Sequence, residues 1–346
     1  MFLCYNETYM SFFVNKLGID LGTANILVYI PGRGIVLNEP SVVAVDIESN
    51  KIVAVGNDAK NMIGKTPENV VAYRPMRDGV IADYRVTEAM LRYYINKAVG
   101  PFNLLKPNVL ISVPSGVTST ERRAVIESAN KAGAKNAYVV KESILAAIGA
   151  GIPIHEPKGR MIVDIGGGTT DVAVISMGGI VCSNSVKCAG SKMDQAIIDY
   201  TKKTYNLAIG EQMAEHIKIE IGAALPVDNQ LTVKVKGRDL VTGLPKTIEL
   251  STNEIVKSID KELRQIVKAI KDVMQETPPE LASDIIDNGV ILTGGSSQLR
   301  FLSELIEKKT GVKAQIADEA LFCVAKGTGI ILNHLSTYKK SIISKR

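Results

Sequence analysis

The chain has 346 residues, 46% of them apolar and 22% charged, with a formal net charge of +5. That length suggests two domains rather than one core, and no apolar run approaches the roughly 20 residues of a membrane span. Scattered cysteines (Cys4, Cys182, Cys188, Cys323) and histidines (His155, His216, His334) exclude a disulfide scaffold and most histidine-based metal sites, and the mild charge gives no reason to expect nucleic acid as a partner. The N-terminal stretch has no basic n-region and no small-residue cleavage site, so it does not read as a signal peptide, and Met10 offers an alternative start.

In chain order, "LGIDLGTANILVYI" (17–30) reads as an apolar strand ending in Asp20, a glycine loop and a second strand. "GPFNLLKPNV" (100–109) sets Phe102, Leu104 and Leu105 between a glycine and two prolines, which disfavours a core helix. "MIVDIGGGTTDVAVI" (161–175) repeats the opening grammar: apolar run, Asp164, glycine loop, strand. "LTVKVKGRDLVTGLPKTIELS" (231–251) alternates like a hairpin. In "NGVILTGGSSQLRFLSELI" (288–306) a third glycine loop follows a strand, and Leu299, Leu302, Leu305 and Ile306 predict a helix starting just after Gly294-Gly295. The tail carries Lys339, Lys340, Lys345 and Arg346 around Ile342 and Ile343.

Three glycines and two threonines are more than a hairpin needs, since Asn-Gly or Asp-Gly turns a chain more economically. Glycine lets backbone approach a ligand closely, and successive free N–H groups form an anion-binding nest. Two mirrored loops with acids at their lips can hold a phosphate chain and its Mg²⁺ from both sides. Because Mg²⁺ keeps most of its water, Asp20 and Asp164 are expected to reach it through that water. Any single loop of this kind is more often an ordinary tight turn; three in this order point to phosphate.

The pattern is similar to the actin-like ATPase superfamily, and more closely resembles the MreB family of bacterial actins. "GIDLGTAN", "GIVLNEPSVVAVD", "RPMRDGVIADY", "VPSGVTSTERRAV", "AAIGAGIPI", "DIGGGTTDVAVIS", "IKIEIGAA" and "TPPELASDIIDNGVILTGGSSQL" carry the resemblance, which runs from about residue 16 to 335. It implies an α/β, actin-like fold: two ribonuclease-H-like domains, each with a smaller inserted subdomain, around a nucleotide cleft. The expected divisions are 10–40 with 75–154 and 324–346, the insert 41–74, then 155–192 with 256–323, and the insert 193–255.

The resemblance further implies that Gly22, Thr23, Ala24 and Asn25 hold one side of ATP and Gly166, Gly167, Gly168, Thr169 and Thr170 the other. Glu215 and Lys218 are expected at the ribose and base, Gly294, Gly295 and Ser296 at the adenosine, and Lys326 where the chain returns to the first domain. Glu142 is expected to orient the attacking water, with Thr169 or Thr170 sharing it. Apart from the resemblance, a lone Glu in a first helical turn complements the dipole, and a Glu and a Lys three apart form a surface ion pair. The chain departs from the family's usual Glu-Glu-Pro at Lys141-Glu142-Ser143, has Ser191 where an acid is usual (Asp194 remains nearby), and has Asp171 for Glu.

The implied function is an ATPase that forms head-to-tail filaments, paired as protofilaments, on the inner face of the cell membrane and governs cell shape. Phe102, Leu104 and Leu105 are its expected contact with an anionic membrane surface, the basic tail a second one, and membrane-bound morphogenesis proteins its expected partners. The alternatives are a filament that binds ATP with weak or no hydrolysis, and an actin-fold small-molecule kinase. A chaperone's peptide-binding domain is not expected in a chain of this length, and no sugar-site motif favours the kinase.

Overall fold

A computed structural model describes residues 14–77, 79–81, 83–100, 105–338 and 341–342. Strands β1 (Lys16–Leu21), β2 (Asn25–Ile30) and β3 (Gly34–Pro40) form an antiparallel meander. An insert follows: β4 (Val43–Asp46), β5 (Lys51–Val55), helix α1 (Asn57–Met62) and β6 (Val70–Tyr73), with its own sheet in the order β5-β4-β6. The short pair β7 (Met76–Arg77) and β8 (Val80–Ile81) leads to α2 (Tyr84–Val99). Asp83 caps that helix by accepting the N–H groups of Arg85 and Val86, and Gly100, at φ 77°, ends it. Then come β9 (Asn108–Val113), α3 (Ser119–Lys131), begun by a Thr118/Glu121 capping box, and β10 (Asn136–Lys141).

Helix α4 (Glu142–Gly149) carries the chain into a second unit. It opens with β11 (Arg160–Ile165), β12 (Thr170–Ser176) and β13 (Gly179–Val186). Its insert runs through α5 (Gly190–Tyr205), β14 (Leu207–Ala208), α6 (Glu211–Ile221), β15 (Thr232–Asp239) and β16 (Pro245–Ser251). Helices α7 (Thr252–Glu276) and α8 (Pro279–Asn288), strand β17 (Val290–Thr293), α9 (Leu302–Thr310) and β18 (Ala314–Ile316) complete it, and α10 (Cys323–Asn333) returns to pack on β1 and β2 of the first unit.

The two five-stranded sheets have one topology, β10-β9-β1-β2-β3 and β18-β17-β11-β12-β13. In each, the first strand pairs antiparallel with the second and parallel with a strand from much later in the unit. The central strands are near-continuous apolar runs because both of their faces are covered. Helices α4 and α10 pack together with buried residues of both sheets in a shared core. They approach at backbone distance: a Cβ on Gly327 would lie 2.1 Å from the Leu145 carbonyl oxygen, and one on Gly149 would lie 1.8 Å from that of Cys323. This is why "AAIGAG" and "AKGTG" cannot spare those glycines.

The helix expected just after Gly294-Gly295 begins later. A 3₁₀ turn occupies Gly295–Gln298, and α9 starts only at Leu302, after Phe301 in the left-handed region at φ 60°. The interruption lets Arg300 turn aside, donating Nε–H to the Gly222 carbonyl at 2.9 Å and Nη2–H to that of Ile221 at 2.6 Å. Those bonds satisfy the otherwise unpaired last carbonyls of α6.

Candidate functional site

A cavity of about 520 Å³ opens between the two units at the carboxyl ends of their parallel strands, the usual place for a ligand in a fold of this kind. Asp20, Gly22, Thr23, Ala24 and Asn25 line one wall, and Asp164, Gly166, Gly167, Gly168 and Thr169 face them. Glu142 stands at the floor, Glu215 and Lys218 come from α6, and Gly294, Gly295 and Ser296 close a further side. The two glycine loops touch. A Cβ on Gly167 would sit 2.5 Å from Ala24 Cβ, and one on Gly168 the same distance from Thr23 Oγ1. The second loop is held from behind: Ser191 N–H donates to the Gly167 carbonyl at 2.8 Å, and Ser296 Oγ donates to that of Gly166 at 2.7 Å.

Each lip acid is fixed by a hydroxyl on the neighbouring parallel strand. Ser112 Oγ donates to Asp20 Oδ1 at 2.7 Å, and Thr293 Oγ1 donates to Asp164 Oδ1 at 2.8 Å. Ser112 was missed by the sequence reading, although the duplication held a signal for it: "VLIS" before Val113 matches "VILT" before Gly294. Arg74 was missed as well. It lines the cavity and donates to the Ala24 carbonyl at 3.0 Å, which anchors the first loop.

Glu215 and Lys218 do not pair with one another. Lys218 Nζ meets Asp194 at 2.7 Å, and Glu215 Oε2 meets Lys60 Nζ at 2.9 Å. Lys60 belongs to α1 of the first insert, and its carbonyl also accepts from Gln212 of α6 at 2.6 Å. The two inserts therefore meet over the mouth of the cleft.

Two expected residues lie elsewhere. Thr170 is fully buried, donates Oγ1–H to the Cys188 carbonyl at 2.7 Å and is not among the cavity-lining residues; alternation along the strand turns it away from the side Thr169 presents. Lys326 is also absent from the lining and pairs with Glu319 on the exposed side of α10. Of the membrane residues, Phe102 and Leu104 fall outside the described residues, as do most residues of the basic tail, while Leu105 is 54% exposed.

Four carboxylates cluster here: Asp20, Glu142 and Asp164 line the cavity, and Asp171 is buried behind them. Burial pushes Asp20 up to about 6 and Asp164 up to about 7. Asp171 stands directly opposite Asp164 in the β11–β12 ladder and is raised by its burial too. Burial, and then the charges of Asp171, Asp20 and Asp164, lift Glu142 well above the usual carboxylate range. Like charges directly opposite one another in a sheet are destabilising, so this cluster suits a divalent cation. Among the described residues no group of three or more His, Cys, Asp or Glu is placed to hold a metal ion directly.

The shifts set a pH dependence. Unfolded carboxylates release their protons near pH 4, whereas Asp20 and Asp164 in the folded chain do so near 6 and 7. Between those values the folded state binds more protons, so stability falls as pH rises. In EDTA without nucleotide, thermal unfolding should therefore occur several degrees higher at pH 5.5–6 than at pH 8. Asp164→Asn should flatten that slope, and an unchanged slope in the variant would remove Asp164 as its source.

The MreB/Mbl protein family model matches residues 14–340. The chain is 48% identical to the cell shape-determining protein Mbl of Bacillus subtilis over 332 residues, covering 96% of this chain and 100% of Mbl. It is 47% identical to the cell shape-determining protein MreB of Escherichia coli over 344 residues, covering 98% and 99%. The crystal structure of MreB5 of Spiroplasma citri bound to AMPPNP superposes with a TM-score of 0.88 at 38% identity, covering 94% of this chain and 97% of MreB5. A chain of the MamK double helical filament shares the fold alone, with a TM-score of 0.76 at 20% identity, covering 92% and 99%. With the family matched along nearly its whole length and the actin-like fold in place, the chain belongs to the MreB/Mbl family of cell shape-determining proteins.

Proposed function

We propose that this chain binds ATP with Mg²⁺ in the cleft, hydrolyses it, and assembles head to tail into paired filaments on the inner face of the cell membrane. The observation that carries the reading is the contact of the two glycine loops, Gly167 and Gly168 against Ala24 and Thr23, above the acids Asp20 and Asp164. Backbone N–H groups of both loops suit the oxygens of a phosphate chain. Lys218 adds charge beside them, and the cavity volume lies in the range of nucleotide-sized sites. Mg²⁺, when bound, would neutralise phosphate charge, and Asp20 and Asp164 are the residues that would hold its water. MreB5 of Spiroplasma citri has been solved with AMPPNP and with ADP, which supports nucleotide at the corresponding place.

For hydrolysis, a water oxygen attacks the terminal phosphorus as its bond to the bridging oxygen breaks, leaving ADP and phosphate. Positioning dominates such transfers. Glu142 is buried at the first position of α4, and burial raises its proton affinity, so its carboxylate can hold that water and take its proton. Thr169 faces it from the second loop, whereas Thr170 is engaged elsewhere.

Membrane contact is assigned to the 102–105 loop and the basic tail. Each such contact is weak alone, and a filament sums many of them; among the described residues no helix is long and apolar enough to cross a membrane.

Sedimentation with electron microscopy, with and without ATP and anionic liposomes, tests the whole reading. Filaments should pellet with ATP and recruit liposomes. Replacing Phe102, Leu104 and Leu105 by Ser should weaken liposome binding at any salt, whereas loss of 339–346 should weaken it mainly at low salt. A chain that stays in the supernatant and consumes ATP only with an added acceptor is a kinase, and unchanged liposome binding by the triple variant removes the loop from the membrane.

A further inference from the structure

Asp171 is a buried carboxylate that the reaction above leaves without a task. Its Oδ1 accepts the Ser115 N–H at 2.6 Å, and its Oδ2 is buried without a hydrogen-bond partner. Ser115 follows β9 in the first unit and Asp171 lies on β12 in the second, so this bond joins the two units. The Ser115 hydroxyl lies 3.0 Å from that of Ser143, and Ser143 is fully buried beside Glu142 in the first turn of α4.

A serine in a helix's first turn commonly hydrogen-bonds its local backbone. Ser143 instead meets a hydroxyl on a separate segment, and a buried hydroxyl is costly unless it is bonded. We propose that Ser143 is a positioning residue for hydrolysis. Its hydroxyl fixes Ser115, Ser115 holds Asp171, and the three together register the start of α4, with Glu142, against the strand that follows Thr169. Glu142 starts α4 and Thr169 lies on the second glycine loop, and no contact within either element fixes one against the other.

The inference rests on the proposed hydrolysis, and single-turnover phosphate release with a parallel nucleotide titration separates the two. Ser143→Ala should slow release about five-fold, the loss of one neutral hydrogen bond, while ATP affinity changes less than two-fold. Ser143→Thr, which keeps the hydroxyl, should restore the rate. Ser115→Ala should slow release comparably, and the double variant should be no slower than Ser115→Ala alone, because coupled residues are not additive. Parental release by Ser143→Ala, multiplicative effects in the double variant, or an affinity loss as large as the rate loss each overturns the relay while hydrolysis stands. A parent chain that releases no phosphate overturns hydrolysis and the relay together.

Discussion

Gly167→Val should abolish ATP binding. At Gly167 a single added carbon would already lie 2.5 Å from Ala24 Cβ and 3.1 Å from Ala24 N, well inside van der Waals contact, and valine adds two methyls beyond it. The loop cannot retreat easily, because the Gly167 carbonyl is held by Ser191 N–H and the adjacent Gly166 carbonyl by Ser296 Oγ. The loops must then part or the cleft must open, and either removes N–H groups from one side of the phosphate chain. A fluorescent-nucleotide titration should show a loss of at least about 10²-fold, equivalent to roughly 3 kcal/mol. Thermal unfolding without nucleotide should move far less, since the loop borders a cavity rather than a packed core. Affinity near the parental value would remove the loop from the nucleotide site.

Glu142→Ala should retain ATP binding and lose hydrolysis. The carboxylate lies at the floor of the cavity, and it is only 7% exposed. Loss of a general base of this kind costs on the order of 10²-fold in phosphate release. Removing one of four crowded acids also relieves repulsion, so the variant should be no less stable than the parent, and binding should not weaken. Filaments formed in ATP should persist longer, since turnover would have lost the step that marks their age. Parental phosphate release by the variant would assign the water to another residue, with Asp194 or Thr169 next in line.

The glycine loops and their acids were legible because close backbone approach leaves a compositional mark, and because the chain writes that mark twice. The direction of a side chain leaves no such mark. Thr169 and Thr170 are adjacent in sequence, yet strand alternation sends one to the cavity and the other to Cys188. Lys326 follows the same rule on α10. The start of α9 was misplaced because apolar periodicity continues through Leu299 and Leu302 while the backbone breaks at Phe301. Arg74, Lys60 and the Ser143–Ser115 contact depend on segments distant in the chain, which no local pattern brings together.

The duplication of the sheets has a consequence for how a ligand can lie. A cleft between two identical halves would accept a linear molecule in either direction. Here the halves differ at equivalent rungs: Leu27 faces Asp20 in the first sheet, whereas Asp171 faces Asp164 in the second. Glu142 adds a further acid on the same floor, while Glu215, Lys218 and the 294–296 turn furnish a different end. On the function proposed above, a nucleotide in this cleft would be oriented, with its reactive phosphate toward the acidic floor and its base toward α6. On that reading the two directions of a phosphate chain are told apart by the asymmetry of one rung and not by the shared architecture.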